Sequence, residues 1–184
     1  MIETARLRLR PWRANDAEPF QKICSDVEVM ATLGPSLDMA ATQALIVRMQ
    51  GLQDTLGHCF WAMERIGDER LIGWCGAIRG SVGPVVDRIE IGWRMARDCW
   101  GSGYATEAAA ATIDWCFANR ADDAVWAITN IYNQRSRAVM ERLGMRHRED
   151  LDFDHPKLTK DDPLLRHVAY ALSREDHAAR RNAA

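Results

Sequence analysis

Apolar and polar side chains alternate along several segments of this chain, as they do in half-buried β-strands. The pattern is clearest over 88–95, where Glu90, Gly92 and Arg94 fall on the face opposite the apolar side chains. The same period predicts further strands over 6–12, 61–66, 71–78, 124–129, 145–151 and 165–172. Segments with a helical period and capping side chains predict helices that begin near 16, 38, 103 and 133 and end near 24, 53, 119 and 144.

This order of elements predicts a single α+β domain with a mixed sheet over residues 1–174. Residues 175–184 are small and charged, so we expect them to form a flexible C-terminal tail. The chain has 184 residues, of which 47% are hydrophobic, and a chain of that length buries a substantial core. Seven tryptophans fall mostly on the predicted strands and helices, where core packing is their expected role.

Charge and cysteine content narrow the classes of function. The net charge of −2 does not indicate a nucleic-acid partner. The five cysteines are scattered and never spaced as CxxC, a pattern typical of reduced thiols in a cytoplasmic protein without a metal site. The opening segment MIETARLRLR lacks the apolar run of a signal peptide, and no stretch is long and apolar enough to indicate a membrane partner.

The segment WGSGYATEA, residues 100–108, carries two glycines where a strand passes into a helix. Glycine lets the backbone approach a ligand closely, and the first N–H groups of a helix together with its dipole bind anions, above all phosphate. The alternative is a tight turn without a ligand. A dinucleotide fingerprint is not complete here, because Thr106 stands where its third small residue belongs, and no GxxxxGK[ST] occurs.

Two motifs resemble the GNAT family of N-acetyltransferases. Residues 100–105 are similar to the acyl-CoA pattern Q/R-x-x-G-x-G/A, with Trp100 in the first position, as in the branch that includes ribosomal-protein N-terminal acetyltransferases. Residues 133–145 are similar to that branch's NxxSxxxxExLGF, with Met145 in place of Phe. The resemblance covers about 6–173. It implies a GNAT fold of about six to seven strands and about four helices, with the fourth and fifth strands splayed apart.

The resemblance also implies acetyl-CoA as cosubstrate, and no metal. The pantetheine arm would lie beside β-strand residues, the pyrophosphate on the glycine loop, and the thiol near the second motif. The implied cofactor-binding residues are Met95, Ala96, Arg97, Trp100, Gly101, Ser102, Gly103, Tyr104, Ala105, Asn133 and Ser136. The last strands would provide a homodimer contact, which is common in the family.

The implied reaction is transfer of the acetyl group to a primary amine, either a protein N-terminus or a small molecule. Only the neutral amine attacks, and near pH 7.5 about one lysine-type amine per thousand is neutral, against roughly a quarter to two-fifths of α-amino groups. Glu90 is the candidate base, and its alternative is an exposed strand residue paired with Arg88 or Arg94. Because Met140 stands where many members carry a tyrosine acid, Ser136 is the candidate thiol contact, or else a helix cap.

The acceptor site is less defined by the sequence. Asp152, Asp154 and His155 share one loop and could bind a cationic amine or supply a base, and the alternative is an Asx-type turn with solvated acids before Pro156. Trp12 and Met30 lie where family members build this pocket, and the alternative for Met30 is a packed interhelix turn. The motifs describe the cofactor and not the acceptor, so a catalytically idle acyl-CoA-binding module is the alternative function.

Overall fold

One sheet organises residues 1–182, the part of the chain that the computed structural model describes. Within these residues it contains nine strands in the order β1-β2-β3-β4-β5-β6-β9-β7, and β8 also pairs with β9. The strands are β1 (Ile2–Glu3), β2 (Leu7–Arg10), β3 (Phe60–Arg65), β4 (Arg70–Arg79), β5 (Ile89–Met95), β6 (Ala124–Asn130), β7 (Arg146–His147), β8 (Phe153–Asp154) and β9 (Arg166–Ser173). All pairs are antiparallel except β5 with β6.

Six α-helices lie within the same residues and cover the two faces of the sheet. They are α1 (Ala17–Cys24), α2 (Val27–Met30), α3 (Met39–Leu56), α4 (Tyr104–Asn119), α5 (Gln134–Arg142) and α6 (Arg174–Asn182). Neighbouring residues of β4 show which helix lies where: Trp74 packs on Phe20 of α1, whereas Cys75 contacts Thr112 of α4. Because successive strand residues point to opposite faces, α1 and α4 lie on opposite sides of the sheet.

The parallel ladder between β5 and β6 is short. It contains two residue pairs, Ile89 with Val125 and Glu90 with Trp126, although β5 continues to Met95 and β6 to Asn130. On its other edge β5 remains paired with β4 as far as Met95. The two strands therefore diverge after Glu90, and one edge of β5 is left with main-chain groups that no strand satisfies.

The α+β class and the mixed, splayed sheet predicted from the sequence are confirmed. The number of strands differs, because β1, β7 and β8 contain two residues each and carry no detectable alternation. The predicted strand over 145–151 is wrong beyond His147, where the chain turns through a short 3₁₀ segment at Glu149–Leu151. The Asp152 carboxylate accepts from His147 Nε2 at 2.9 Å and from the Ala169 N–H at 3.2 Å, so a side chain replaces a ladder bond there.

A second correction concerns the predicted flexible tail over 175–184. Residues 174–182 form α6, and positions 183–184 lie outside the described residues. Ser173 Oγ accepts from the Asp176 N–H at 3.0 Å and caps the helix. Arg174 donates to the carbonyls of Phe117 and Arg120 at 2.6 Å each, and His177 Nε2 lies 2.8 Å from Asp114 Oδ1. These contacts with α4, which the local composition does not reveal, hold the helix in place.

A buried ion network joins β2, β3 and the start of α1. Arg10 contacts Asp16 Oδ2 at 2.7 Å and Glu64 Oε2 at 2.6 Å, and all three side chains are at most 4% exposed. Asp16 stands at the position where the sequence predicts a helix cap, but its carboxylate is directed to Arg10 and the Arg13 N–H instead. None of the helices within residues 1–182 is both long and apolar enough to cross a membrane.

Candidate active site

The loop before α4 presents a row of main-chain donors. Within residues 1–182 none of the N–H groups from Gly101 to Thr106 donates to a protein acceptor. Gly101 and Gly103 have φ angles of 75° and 80°, in the left-handed region that favours glycine, and Gly101 has open space where a Cβ would lie. Free donors at the first turn of a sixteen-residue helix form a site for an anion, because the helix dipole adds to them.

Thr4 and Arg6, near the start of the chain, hold this loop on its carbonyl side. Arg6 Nη1 donates to the Ser102 carbonyl at 3.0 Å, and the same guanidinium contacts the Glu107 carboxylate at 2.6 Å. Thr4 Oγ1 also donates to Glu107 at 2.6 Å, and Arg6 lies over the Tyr104 ring at 4.6 Å. Because the carbonyl side of the loop is bound by Arg6, the amides are held facing away from it.

A cavity of about 960 Å³ continues from the loop into the gap between β5 and β6. Its walls are the glycine loop, the free edge of β5, the end of β6, one side of α5 and the segment at α2. The residues of the described chain that line it are Glu28, Val29, Ala31, Thr32, Leu33, Glu90, Ile91, Gly92, Trp93, Arg94, Met95, Trp100, Gly101, Gly103, Ala105, Thr106, Ile128, Thr129, Tyr132, Asn133, Gln134, Arg135, Ser136, Ala138, Val139, Met140 and Arg142.

The cavity has the features that an extended acyl-CoA arm requires. One end carries free amides for a diphosphate, and one wall is an unpaired strand edge to which an amide-containing chain can add. Of the predicted cofactor contacts, Met95, Trp100, Gly101, Gly103, Ala105, Asn133 and Ser136 line it. The others lie outside its lining: the Ala96 N–H is bonded to Ile72, the Arg97 side chain is paired with Glu28 at 2.8 Å, and the Ser102 and Tyr104 groups contact Arg6.

Glu90 lies at the point where β5 and β6 separate. Its side chain is partly buried and lines the cavity, and within residues 1–182 it has no hydrogen bond or ion pair. The pairing with Arg88 or Arg94 that the sequence left open is not formed; Arg88 lies over the Trp126 ring at 4.2 Å instead. Burial raises the pKa of Glu90 to about 7, and the field of Arg48 opposes this rise. A carboxyl group with such a pKa can accept a proton near neutral pH.

Ser136 and Asn133 lie at the start of α5, on the opposite wall. Asn133 Oδ1 accepts from the Ser136 N–H at 3.1 Å and caps the helix. The cap is thus the asparagine, and the Ser136 hydroxyl has no protein partner within residues 1–182, although it lines the cavity. Met140, one turn further, is 1% exposed and packs in the core. Ser136 is therefore the hydroxyl donor that α5 offers to the cavity.

The five predicted acceptor contacts are not brought to the cavity. Trp12 is 6% exposed and donates from Nε1 to the Phe60 carbonyl at 2.8 Å, and Met30 is 3% exposed. Asp152 is bound to His147, and Asp154 is paired with Arg166 at 3.2 Å. His155 lies against His167, with ring centroids 4.9 Å apart. In this structure Trp12 and Met30 are buried, and Asp152 and Asp154 contact residues of β7 and β9.

Many lining residues were not identified from the sequence, and three of them carry polar groups of interest: Arg94, Thr106 and Tyr132. Arg94 shares the Glu90 face of β5 and was considered only as an ion-pair partner. Tyr132 is 70% exposed at the rim and also borders a second cavity of about 440 Å³. Thr106 lies in the first turn of α4. A usable signal existed for Tyr132, since a large aromatic residue directly before the predicted cap Asn133 has to lie near the cavity entrance.

Comparisons with known proteins agree with this geometry. A sequence model described as the acetyltransferase (GNAT) domain matches residues 6–146. An uncharacterized protein of Bacillus subtilis, YkkB, is 30% identical over 147 residues, 79% of this chain and 85% of that protein. The FsC-acetyl coenzyme A-N(2)-transacetylase of Aspergillus fumigatus is 28% identical over 185 residues, 95% of this chain and 77% of that protein. An acetyltransferase structure from Agrobacterium tumefaciens has a TM-score of 0.76 and 24% identity, with 94% of both chains covered.

Proposed function

The chain belongs to the GNAT family of acetyltransferases and uses acetyl-CoA, and we propose that it transfers the acetyl group directly to the nitrogen of a primary amine at the Glu90 end of the cavity. The observation that carries this proposal is the alignment of three features along one cavity. These are the free amides of 101–106, the unpaired edge of β5, and an unpartnered carboxylate where the strands separate. Acetyl-CoA supplies the activated acyl group when bound; the chain's residues position it and move protons.

The glycine loop is the proposed anchor for the diphosphate. Its donors lie in a row, and Arg6 and Glu107 fix their direction, so binding requires little rearrangement of the loop. Met95 and Trp100 would border the arm, since Trp100 Nε1 already donates to the Met95 carbonyl at 3.1 Å and closes that end of β5. The cofactor would then point its thiol end toward Glu90 and Ser136.

Glu90 is the proposed proton acceptor for the attacking amine. Its position at the last rung of the β5–β6 ladder places it beside the deepest point of the gap. With a pKa of about 7 it is ionised in a large fraction of molecules at physiological pH, yet it holds a transferred proton well. Ser136 would donate a hydrogen bond from its hydroxyl to the departing thiolate sulfur. The thioether of Met140 has no hydrogen to donate.

An acetyl-CoA turnover screen tests the proposal. Release of free thiol is followed with peptides of differing N-termini, amino acids, polyamines and aminoglycosides, and the acetylated products are identified by mass spectrometry. We expect amine-dependent release with acetyl transfer to nitrogen. Tight binding of acetyl-CoA without transfer to any amine would support the idle binding module instead. If ATP or NAD raises the melting temperature and coenzyme A does not, the loop binds another nucleotide and the assignment of coenzyme A fails.

A further inference from the structure

Arg94 is a cation in the cavity wall without an anionic partner. Within residues 1–182 no carboxylate lies within 4.0 Å of its guanidinium, and its Nε atom is buried without a hydrogen-bond partner. Its one polar protein contact is from Nη1 to the Cys24 Sγ atom at 3.1 Å, and a thiol sulfur is a weak acceptor. The guanidinium also lies over the Trp74 ring, 5.0 Å from its centroid. Within residues 1–182 its Nη2 atom has no hydrogen bond and is not among the buried unpartnered atoms, so it is the donor that remains for an anion in the cavity.

The buried and unpartnered Nε atom distinguishes Arg94 from most arginines of residues 1–182. The buried Arg10 is matched by both Asp16 and Glu64, and Arg97, three positions from Arg94, is matched by Glu28. Arg120 also has a buried Nε without a partner, but its Nη2 atom donates to the Leu56 carbonyl at 2.6 Å, and it lies outside the cavity. Arg94 is half-buried, and a buried donor atom without a partner is unfavourable, so its presence in the wall of a ligand cavity is consistent with a ligand that supplies the missing anion.

Arg94 lies on the face of β5 that is covered by α1, from which we expect the acceptor to approach. Glu90, Gly92 and Arg94 share one face of β5, and the Phe60 ring covers Gly92 so closely that a Cβ there would lie 3.0 Å from it. This is the face covered by α1, because Arg94 contacts Cys24 and Trp74 packs on Phe20. The glycine loop continues into α4 on the opposite face. An amine that approaches Glu90 from the α1 and α2 side therefore passes Arg94.

The charge of the lining does not suit a polycation. Its acidic residues in the described chain are Glu28 and Glu90, and Glu28 is already paired with Arg97. Its cationic residues are Arg94, Arg135 and Arg142, of which Arg135 lies over the Trp100 ring at 4.3 Å. A polyamine would find few counter-charges here, whereas an acceptor with a negative group would be attracted.

We infer that the acceptor is an amine that also carries a carboxylate, which Arg94 binds while the amine faces Glu90. The inference rests on the proposed function and names its substrate class. A carboxylate accepts a charge-assisted hydrogen bond from a guanidinium N–H, and Nη2 of Arg94 is free to donate one. The Cα atoms of residues 90 and 94 are about 13 Å apart along the strand, and the two side chains shorten that span. Gly92, between them, lines the cavity and has no side chain to block a spacer.

Matched acceptor pairs test the inference. Glycine, β-alanine, 4-aminobutanoate and 6-aminohexanoate are compared with their primary amides, which retain the amine and lose the negative charge. At the spacer length that fits, the carboxylate is expected to exceed its amide in kcat/KM by roughly tenfold to a hundredfold. Arg94→Gln should remove this preference by raising KM for the carboxylate to about that of its amide, while the Kd of coenzyme A stays the same. Arg94→Lys should restore part of the preference.

The control is Arg146→Gln, which removes a surface arginine 74% exposed and far from the cavity. Circular dichroism and melting temperature verify that each variant is folded. Equal rates for carboxylates and amides in the wild type overturn the inference and leave the proposed function intact. A loss of coenzyme A affinity in Arg94→Gln also overturns it, because Arg94 then serves the cofactor.

A binding measurement separates the inference from the proposed function. With coenzyme A bound, an amino carboxylate should raise the melting temperature of the wild type and not that of Arg94→Gln, even if no amine is acetylated. Such a result with no turnover in the full amine screen supports the Arg94 site and contradicts the transfer reaction. If the melting temperature does not change in either protein and no carboxylate is preferred, the inference fails.

Discussion

Glu90 and Trp126 form the last rung of the parallel ladder between β5 and β6. Beyond this rung the strands separate, and the cavity opens between the glycine loop and α5. The same position determines the chemistry of Glu90: it is shielded enough for burial to raise its pKa to about 7, yet its carboxylate lines the cavity. The opening of the sheet and the half-buried position of the Glu90 carboxylate thus arise from one structural feature.

Gly103→Asp should weaken coenzyme A binding by more than about tenfold, because the new carboxylate would face the diphosphate among the free amides. The φ of 80° at this position adds backbone strain for any side chain. Isothermal titration with coenzyme A measures the change. The control is Gly67→Asp, at a turn glycine with ordinary φ and no heavy atom within 4 Å of the point where a Cβ would lie. Unchanged affinity for Gly103→Asp would remove the loop from the cofactor site.

Glu90→Gln should lower kcat for an amine acceptor by roughly a hundredfold or more, since general base catalysis typically contributes that much. In the wild type the rate should rise with pH through about 7, as the carboxylate becomes ionised. The variant should lack this limb of the profile. The measurement is a pH–rate profile at saturating acetyl-CoA and amine. A variant that keeps the wild-type profile would show that water or another group accepts the proton.

The same pKa predicts a stability effect that is independent of catalysis. Because the pKa of Glu90 rises from 4.5 to about 7 on folding, the folded state holds a proton that the unfolded chain releases over that range. The free energy of unfolding should therefore fall as pH rises from 4.5 to 7, by at most about 3 kcal/mol. The Glu90→Gln variant has no carboxyl group to ionise and does not lose this stability. The difference between its melting temperature and that of the wild type should therefore increase in favour of the variant between about pH 5 and 8. The control Glu149→Gln, at a side chain 86% exposed, should show no such trend.

Ser136→Ala should lower kcat by about tenfold to a hundredfold with little change in the Kd of acetyl-CoA, because the hydroxyl is proposed to act on the departing sulfur. The helix cap should persist, since Asn133 provides it. Steady-state kinetics and titration of acetyl-CoA give the two quantities. Ser25→Ala, at an exposed serine at the end of α1, serves as control. A loss of affinity with unchanged kcat would assign Ser136 to binding alone.

Asp16→Ala should reduce the free energy of unfolding by about 3 to 5 kcal/mol, because it leaves the buried Arg10 without one of its two carboxylates. It also removes the acceptor of the Arg13 N–H. Urea unfolding at neutral pH measures the change. The control Glu18→Ala breaks the exposed pair with Lys22 and should cost about 0.5 kcal/mol or less. Similar losses for both variants would show that the buried network adds no stability.

Local sequence patterns predicted much of the cofactor side of the site. The alternation over 88–95 placed Glu90 on the face of β5 opposite the apolar side chains, the two glycines indicated a loop open to close approach of a ligand, and Asn133 was identified as a cap. Each of these depends on a few consecutive residues. The position of the proposed acceptor contact Asp152 was not predictable in this way. Its carboxylate is bonded to the Ala169 N–H of β9 and to His147, which are distant in sequence or in another element.

The amino-acid sequence by itself determined the family, the α+β fold and the glycine loop before α4, since backbone conformation and helix ends follow from short-range preferences. Tertiary structure alone decided which side chains meet across the cavity. Arg6 supports Ser102 from 96 residues away, and α6 is held by α4. Glu28 pairs with Arg97, whereas no carboxylate of the described residues lies within 4.0 Å of Arg94. Such outcomes depend on competition among long-range partners, which no local pattern records.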